Sequence, residues 1–208
     1  MSSLTHFLGV PLSIAGLVLM VVYAALHGRA ANVVGAAIFG ASLILLYAAS
    51  ALFHFFAQGT RAKRLLQRLD HACIFVLIAG TYTPITLALP RRGWGWALFG
   101  IVWGCAAVGA TLKASGRALT GWASPALYVA LGWTALLAWG PLSAWLPRMG
   151  LRWLLLGGAC YSVGAVFYAL DPYVRRTRWF GMHEVFHLFV LAGSFCHFWL
   201  VLHYVNQA

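Results

Sequence analysis

Long apolar runs alternate with short breaks along the chain, and the breaks hold nearly all of its charge. Seven runs, at about 11–27, 32–56, 70–89, 94–112, 122–140, 151–170 and 183–205, are each long enough for a helix that crosses a bilayer. The breaks carry basic or turn-forming residues: His27-Gly28-Arg29, Gly59 to Arg68, Pro90 to Gly93, Lys113 to Gly121, Pro147-Arg148 and Pro172 to Arg178. The pattern predicts an all-α fold, a single seven-helix transmembrane bundle over residues 1–208. Pro125, near the start of the fifth run, makes that span the least well bounded.

Composition sharpens this reading. A chain that is 62% hydrophobic and 8% charged is not a soluble domain of 208 residues. Its net charge of +11 would suggest nucleic acid in a soluble protein. Here the cations stand between apolar runs, so they read as topology signals facing anionic headgroups, and no nucleic-acid partner is expected. Arg61, Lys63, Arg64, Arg68, Lys113, Arg117, Arg175, Arg176 and Arg178 share the side that holds the N-terminus. Arg29, Arg91, Arg92, Arg148 and Arg152 lie on the other. The excess places the N-terminus in the cytoplasm and the C-terminus outside. No Lys or Arg precedes Arg29, so the first run lacks the basic start of a signal peptide and is expected to be retained. Gly100 and Gly104 form a GxxxG in the fourth run, expected to serve close packing within the bundle. Tryptophans near the run ends, such as Trp94, Trp96, Trp122 and Trp179, suit an interfacial belt. Cys73, Cys105, Cys160 and Cys196 are isolated within apolar runs and read as small buried hydrophobes.

Alternation of seven spans also brings particular polar residues to one depth. His54 lies two residues before the end of the second run, with Ser50 one turn deeper on the same face. Asp70 opens the third run, and His183 and His187 open the seventh. The last two stand four apart, one helical turn or roughly 6 Å. Ionisable groups on membrane helices are costly and mark functional sites by default. Three imidazoles with an open fourth position suit zinc, with Asp70 placed to orient or deprotonate water and Ser50 to hydrogen-bond a ligand. The competing reading is of interfacial histidines satisfied by water and hydrogen bonds. His71 points about 100° from Asp70 and reads as interfacial, as do Glu184 and His203. His197, about 21 Å along the axis from His183, is too far to ligate the same ion but suits a cavity wall or a bond to a neighbouring helix. Asp171-Pro172 reads as a helix stop, and Thr81 and Pro84 as shapers of a cavity.

Four motifs together resemble the bacterial haemolysin III proteins. They are Ser50-x-x-x-His54, Leu69-Asp70-His71, Ile78 to Pro84 (IAGTYTP), and His183-x-x-x-His187 followed by LFVLAG to Gly193. That family is related to the progestin and adiponectin receptors and, more widely, to the alkaline ceramidases. The resemblance implies a multi-pass protein of the bacterial cytoplasmic membrane. It implies that His54, His183 and His187 bind Zn2+, that Asp70 contacts the metal's water, and that Ser50 belongs to the same signature. It further implies hydrolysis of a lipid amide or ester, with membrane lipids as substrate or ligand. The alternative is a non-enzymatic protein, a cytolysin-like pore or a sensor of membrane state with a structural zinc. A pore requires polar faces that continue through the bilayer, whereas the polar residues here gather at one end. A retinal pump requires a membrane-embedded lysine, and Lys63 and Lys113 both read as loop residues. A haem bundle suits the histidine count, but three histidines and an acid at one depth suit zinc better.

Overall fold

The computed structural model describes residues 2–57, 59–116, 122–174 and 181–206, residues 2–6 by backbone alone. Arg117, Arg175, Arg176, Arg178 and Trp179 lie outside these residues. Helix follows helix: α1 (Ser2–His27), α2 (Ala30–Phe55), α3 (Arg61–Ala88) and α4 (Arg92–Ala114). Then come α5 (Ala123–Gly132), a 3₁₀ stretch (Trp133–Ala138), α6 (Trp139–Trp145), α7 (Arg148–Leu170), α8 (Met182–Leu200) and a π-helical turn (Val201–Val205). Seven of these segments are long and apolar enough to cross a membrane, the fifth being α5 to α6 taken together and the seventh ending at Val205. No strand occurs among the described residues, as hydrocarbon demands: helices satisfy their own backbone groups.

The apolar runs mark the spans but not all of their ends. α3 starts at Arg61, nine residues before Asp70, because Thr60 caps it: the Thr60 hydroxyl accepts the Lys63 N–H at 3.1 Å. Lys63 and Lys113, read as loop residues, are therefore helical, and both are buried. Lys63 donates to the Phe53 carbonyl and Lys113 to the Ser124 hydroxyl.

The fifth span reaches Trp145 and is broken at its middle. Pro125 sits in the first turn of α5, where its missing N–H costs no bond. Pro141 conflicts with continuous helix four residues back, at Leu137, inside the 3₁₀ stretch. The Tyr82 hydroxyl satisfies the break on both sides, donating to the Gly132 carbonyl at 2.6 Å and accepting the Ala135 N–H at 2.8 Å. Such backbone is tolerated at membrane depth where protein covers it.

α3 is the most buried span, with 72% of its most apolar window inside the bundle. It meets α2 closely. A Cβ at Gly35 would come 2.5 Å from the Pro84 Cα, and one at Gly80 would come 2.1 Å from the Ser42 Oγ. Gly95 and Gly109 do the same for α4 against Thr86 and Phe75 of α3. Gly100 and Gly104 do not: both are exposed, and nothing lies within 4 Å of a Cβ at either. The GxxxG thus plays no part in packing within the bundle, because α4 turns its Gly95-Leu98-Val102-Ala106-Gly109 face inward instead. Trp94, Trp96 and Trp122 are exposed near helix ends, as a belt requires. Of the cysteines, Cys73 and Cys196 are buried, whereas Cys105 is exposed on the outer face of α4. At the end of the bundle away from His54, Asn32 donates to the Val205 carbonyl at 2.9 Å and Asn206 to the Met20 carbonyl at 3.2 Å. These bonds join the first, second and seventh spans.

The two kinds of glycine should separate in stability. Gly35→Ala is expected to cost about 1–3 kcal/mol by overpacking, and Gly100→Ala to stay within about 0.5 kcal/mol of wild type. Thermal unfolding of the detergent-solubilised protein measures both, and an unchanged Gly35→Ala would show the α2–α3 crossing to be loose.

Candidate metal centre

Two helix ends build the centre. His54 stands in the last turn of α2, and His183 and His187 in the first turns of α8. The start of α8 is fixed by carboxylates. Glu184 accepts the Gly181 N–H at 2.9 Å, and the Asp171 Oδ1 accepts the His183 N–H at 3.1 Å. Glu184 is thus more than an interfacial acid. Asp171 follows the last residue of α7, as a helix stop should, and also holds α8. An acid in the first turn complements the positive end of the helix.

His54 Nε2 and His183 Nε2 lie 3.2 Å apart, and ligand atoms of His54, His183 and His187 all fall within 4.8 Å of one another. The ring centroids are separated by 5.1, 5.1 and 4.4 Å. Tetrahedral nitrogens about 2.0–2.1 Å from one zinc stand roughly 3.3 Å apart; the His54–His183 pair matches that spacing, and the whole set is held within a wider 4.8 Å. His187 is buried, at 1% exposure, and the other two are half-buried. Among the described residues the three histidines form the ligand set without Asp70.

Asp70 and Ser50 are both buried. Together with His183 they line one end of a cavity. Its remaining walls are mostly apolar, from Leu46, Leu77, Ile78, Leu155 and Val190 among others. The broken fifth span contributes Gly132, Trp133, Ala135 and Leu136. Thr81 lines the same space. Pro84 does not, and serves instead as the surface against which Gly35 packs.

His71 departs from its expected interfacial place. It lines the cavity, with Nε2 3.3 Å from the Tyr168 hydroxyl. The reason is that α3 has partners on several sides, so residues 100° from Asp70 still face protein. His197 also reaches the cavity wall, where its ring lies over Gly157 and 5.5 Å from the Tyr161 ring. The His203 ring lies 4.1 Å from that of Trp199, tilted by 41°, in the π-helical turn and remote from the centre. Sequence reasoning passed over Tyr168, Tyr161 and the inward turn of Lys63. A phenol in an apolar run carries no period or spacing signal, and the direction of a lysine depends on its neighbours.

The comparisons with known proteins agree with this architecture. The model of the haemolysin-III-related family matches residues 1–198. The chain is similar to Hemolysin-3 of Bacillus cereus, at 38% identity over 204 residues that cover 98% of this chain and 90% of that protein. It is equally similar to the Hemolysin-3 homolog of Bacillus subtilis (strain 168), at 38% over 203 residues, 98% and 92% of the two chains. With seven membrane-length helices and a match along nearly its whole length, the chain belongs to the haemolysin-III-related family of multi-pass membrane proteins.

Proposed function

We propose that the protein is a zinc-dependent intramembrane hydrolase of a lipid amide or ester, in the bacterial cytoplasmic membrane. The observation that carries this is one juxtaposition: three imidazoles whose ligand atoms lie within 4.8 Å, and Asp70 and Ser50 lining the same largely apolar cavity as His183. His54, His183 and His187 would hold the ion. Zinc in such a set supplies Lewis-acid activation of water and of an acyl carbonyl. Asp70 stands outside the ligand set, so its carboxylate oxygen is available to take a proton from water and pass it to the leaving nitrogen or oxygen. Ser50, on the same cavity wall, would hydrogen-bond that carboxyl. The apolar walls suit an acyl chain, which fixes the scissile group by burying the tail. The charge bias supports a centre near the cytoplasmic face, with the N-terminus inside and the C-terminus outside. A protein that retains metal yet hydrolyses nothing would favour the other reading, a structural ion that joins the second and seventh spans.

Three measurements test this reading. Metal analysis of protein purified without chelators should give about one zinc per chain, the stoichiometry of a single three-histidine site. His54→Ala and His187→Ala should lose it, and His71→Ala and His203→Ala should keep it; metal-free wild type removes the proposal. Asp70→Asn should retain zinc while lipid hydrolysis falls on the order of a hundredfold, the scale for loss of a general base. Full turnover in that variant would take Asp70 out of the mechanism. A cysteine placed at the C-terminus should react with an impermeant thiol reagent in intact cells, and protection would reverse the orientation.

A further inference from the structure

We propose that Lys63 is a positioning residue for the three-histidine centre: by holding the end of α2 it sets where His54 stands. This inference rests on the metal-centre reading above. The last four carbonyls of a helix have no partner within it, and Phe53 supplies one of these in α2. Lys63 Nζ donates to that carbonyl, and the ammonium lies 4.0 Å from the centroid of the Phe53 ring. A cation at a helix C-terminus and over an aromatic face is attracted by both. The other end of Lys63 is fixed as well, since its N–H is taken by the Thr60 cap of α3. The lysine thus fastens the end of α2 to the start of α3.

His54 follows Phe53 directly, and their rings meet at 4.7 Å, so a shift of one carries the other. His54 is also the one ligand from α2. His183 and His187 keep their spacing through α8 itself, whereas the third nitrogen depends on how the end of α2 is placed against α8. Lys63 stands seven residues before Asp70, two turns along one face of α3. The same contact therefore relates the depth of His54 to that of Asp70. The ordinary expectation for an interfacial lysine is a stem along apolar surface with the ammonium in the headgroups. Lys63 does the opposite: it is 6% exposed and its ammonium turns inward to a backbone carbonyl.

Zinc affinity of the full-length, detergent-solubilised protein, read by competition with a chelator, tests the inference. Lys63→Met keeps the stem and removes charge and donor. It should weaken zinc by roughly tenfold to a hundredfold, the range for loss of an outer partner of a metal ligand. Lys63→Arg keeps cation and donor and should stay within about threefold of wild type. Gly35→Ala, expected to destabilise the α2–α3 crossing away from the centre, should keep wild-type affinity, which a general loss of stability would not reproduce. Wild-type affinity in Lys63→Met, or an equal loss in Gly35→Ala, overturns the inference. Should Lys63→Met not fold, Phe53→Leu removes the ring under the ammonium, and wild-type affinity there overturns it equally. Metal-free wild type is a different result: it removes the metal-centre reading itself.

Discussion

Hydrocarbon offers no hydrogen bonds, and this constraint shapes the whole molecule. Each membrane-length segment is helical because only a helix pairs its backbone groups within itself. Where the fifth span leaves α-helical geometry, the Tyr82 hydroxyl takes one carbonyl and one N–H from the break. Where the seventh ends in a π-helical turn, Asn32 takes the Val205 carbonyl. Irregular backbone is thus confined to places that a polar side chain from another span can serve, and the first of them lies on the cavity wall.

The histidine centre answers to the same constraint at a helix junction. His54 and His183 bring two ring nitrogens to 3.2 Å in a half-buried setting, where something positive must lie between two lone pairs or one ring must donate to the other. The surrounding polar groups are spent on placement. Asp171 and Glu184 fix the start of α8, and Lys63 and Thr60 the turn from α2 to α3. In a chain with three acids, two hold a helix end and the third stands beside the centre. The proposed chemistry draws on that economy, since Asp70 is the acid left to move a proton.

The span pattern, the family and the meeting of His54, Asp70, His183 and His187 at one end of the bundle were all readable beforehand. The sidedness of an alternating chain follows from counting spans. The positions of helix starts were less legible. Arg61 to Arg68 read as a loop, because a hydropathy pattern falls when cations appear, although a capped helix accommodates them at an interface. The two lysines were misread for the same reason.

The sequence by itself determined that there are seven spans, that they are helical, and which polar residues share a depth. These follow from bilayer thickness and helical rise, which are local and one-dimensional. Only the tertiary structure decided rotations and neighbours. It turned α4 so that Gly100 and Gly104 face outward, placed His71 on the cavity wall, broke the fifth span beside Tyr82, and turned Lys63 toward Phe53. Inside a chain this apolar, hydrophobicity no longer distinguishes a helix face that meets protein from one that meets lipid, so the choice falls to close packing among particular side chains.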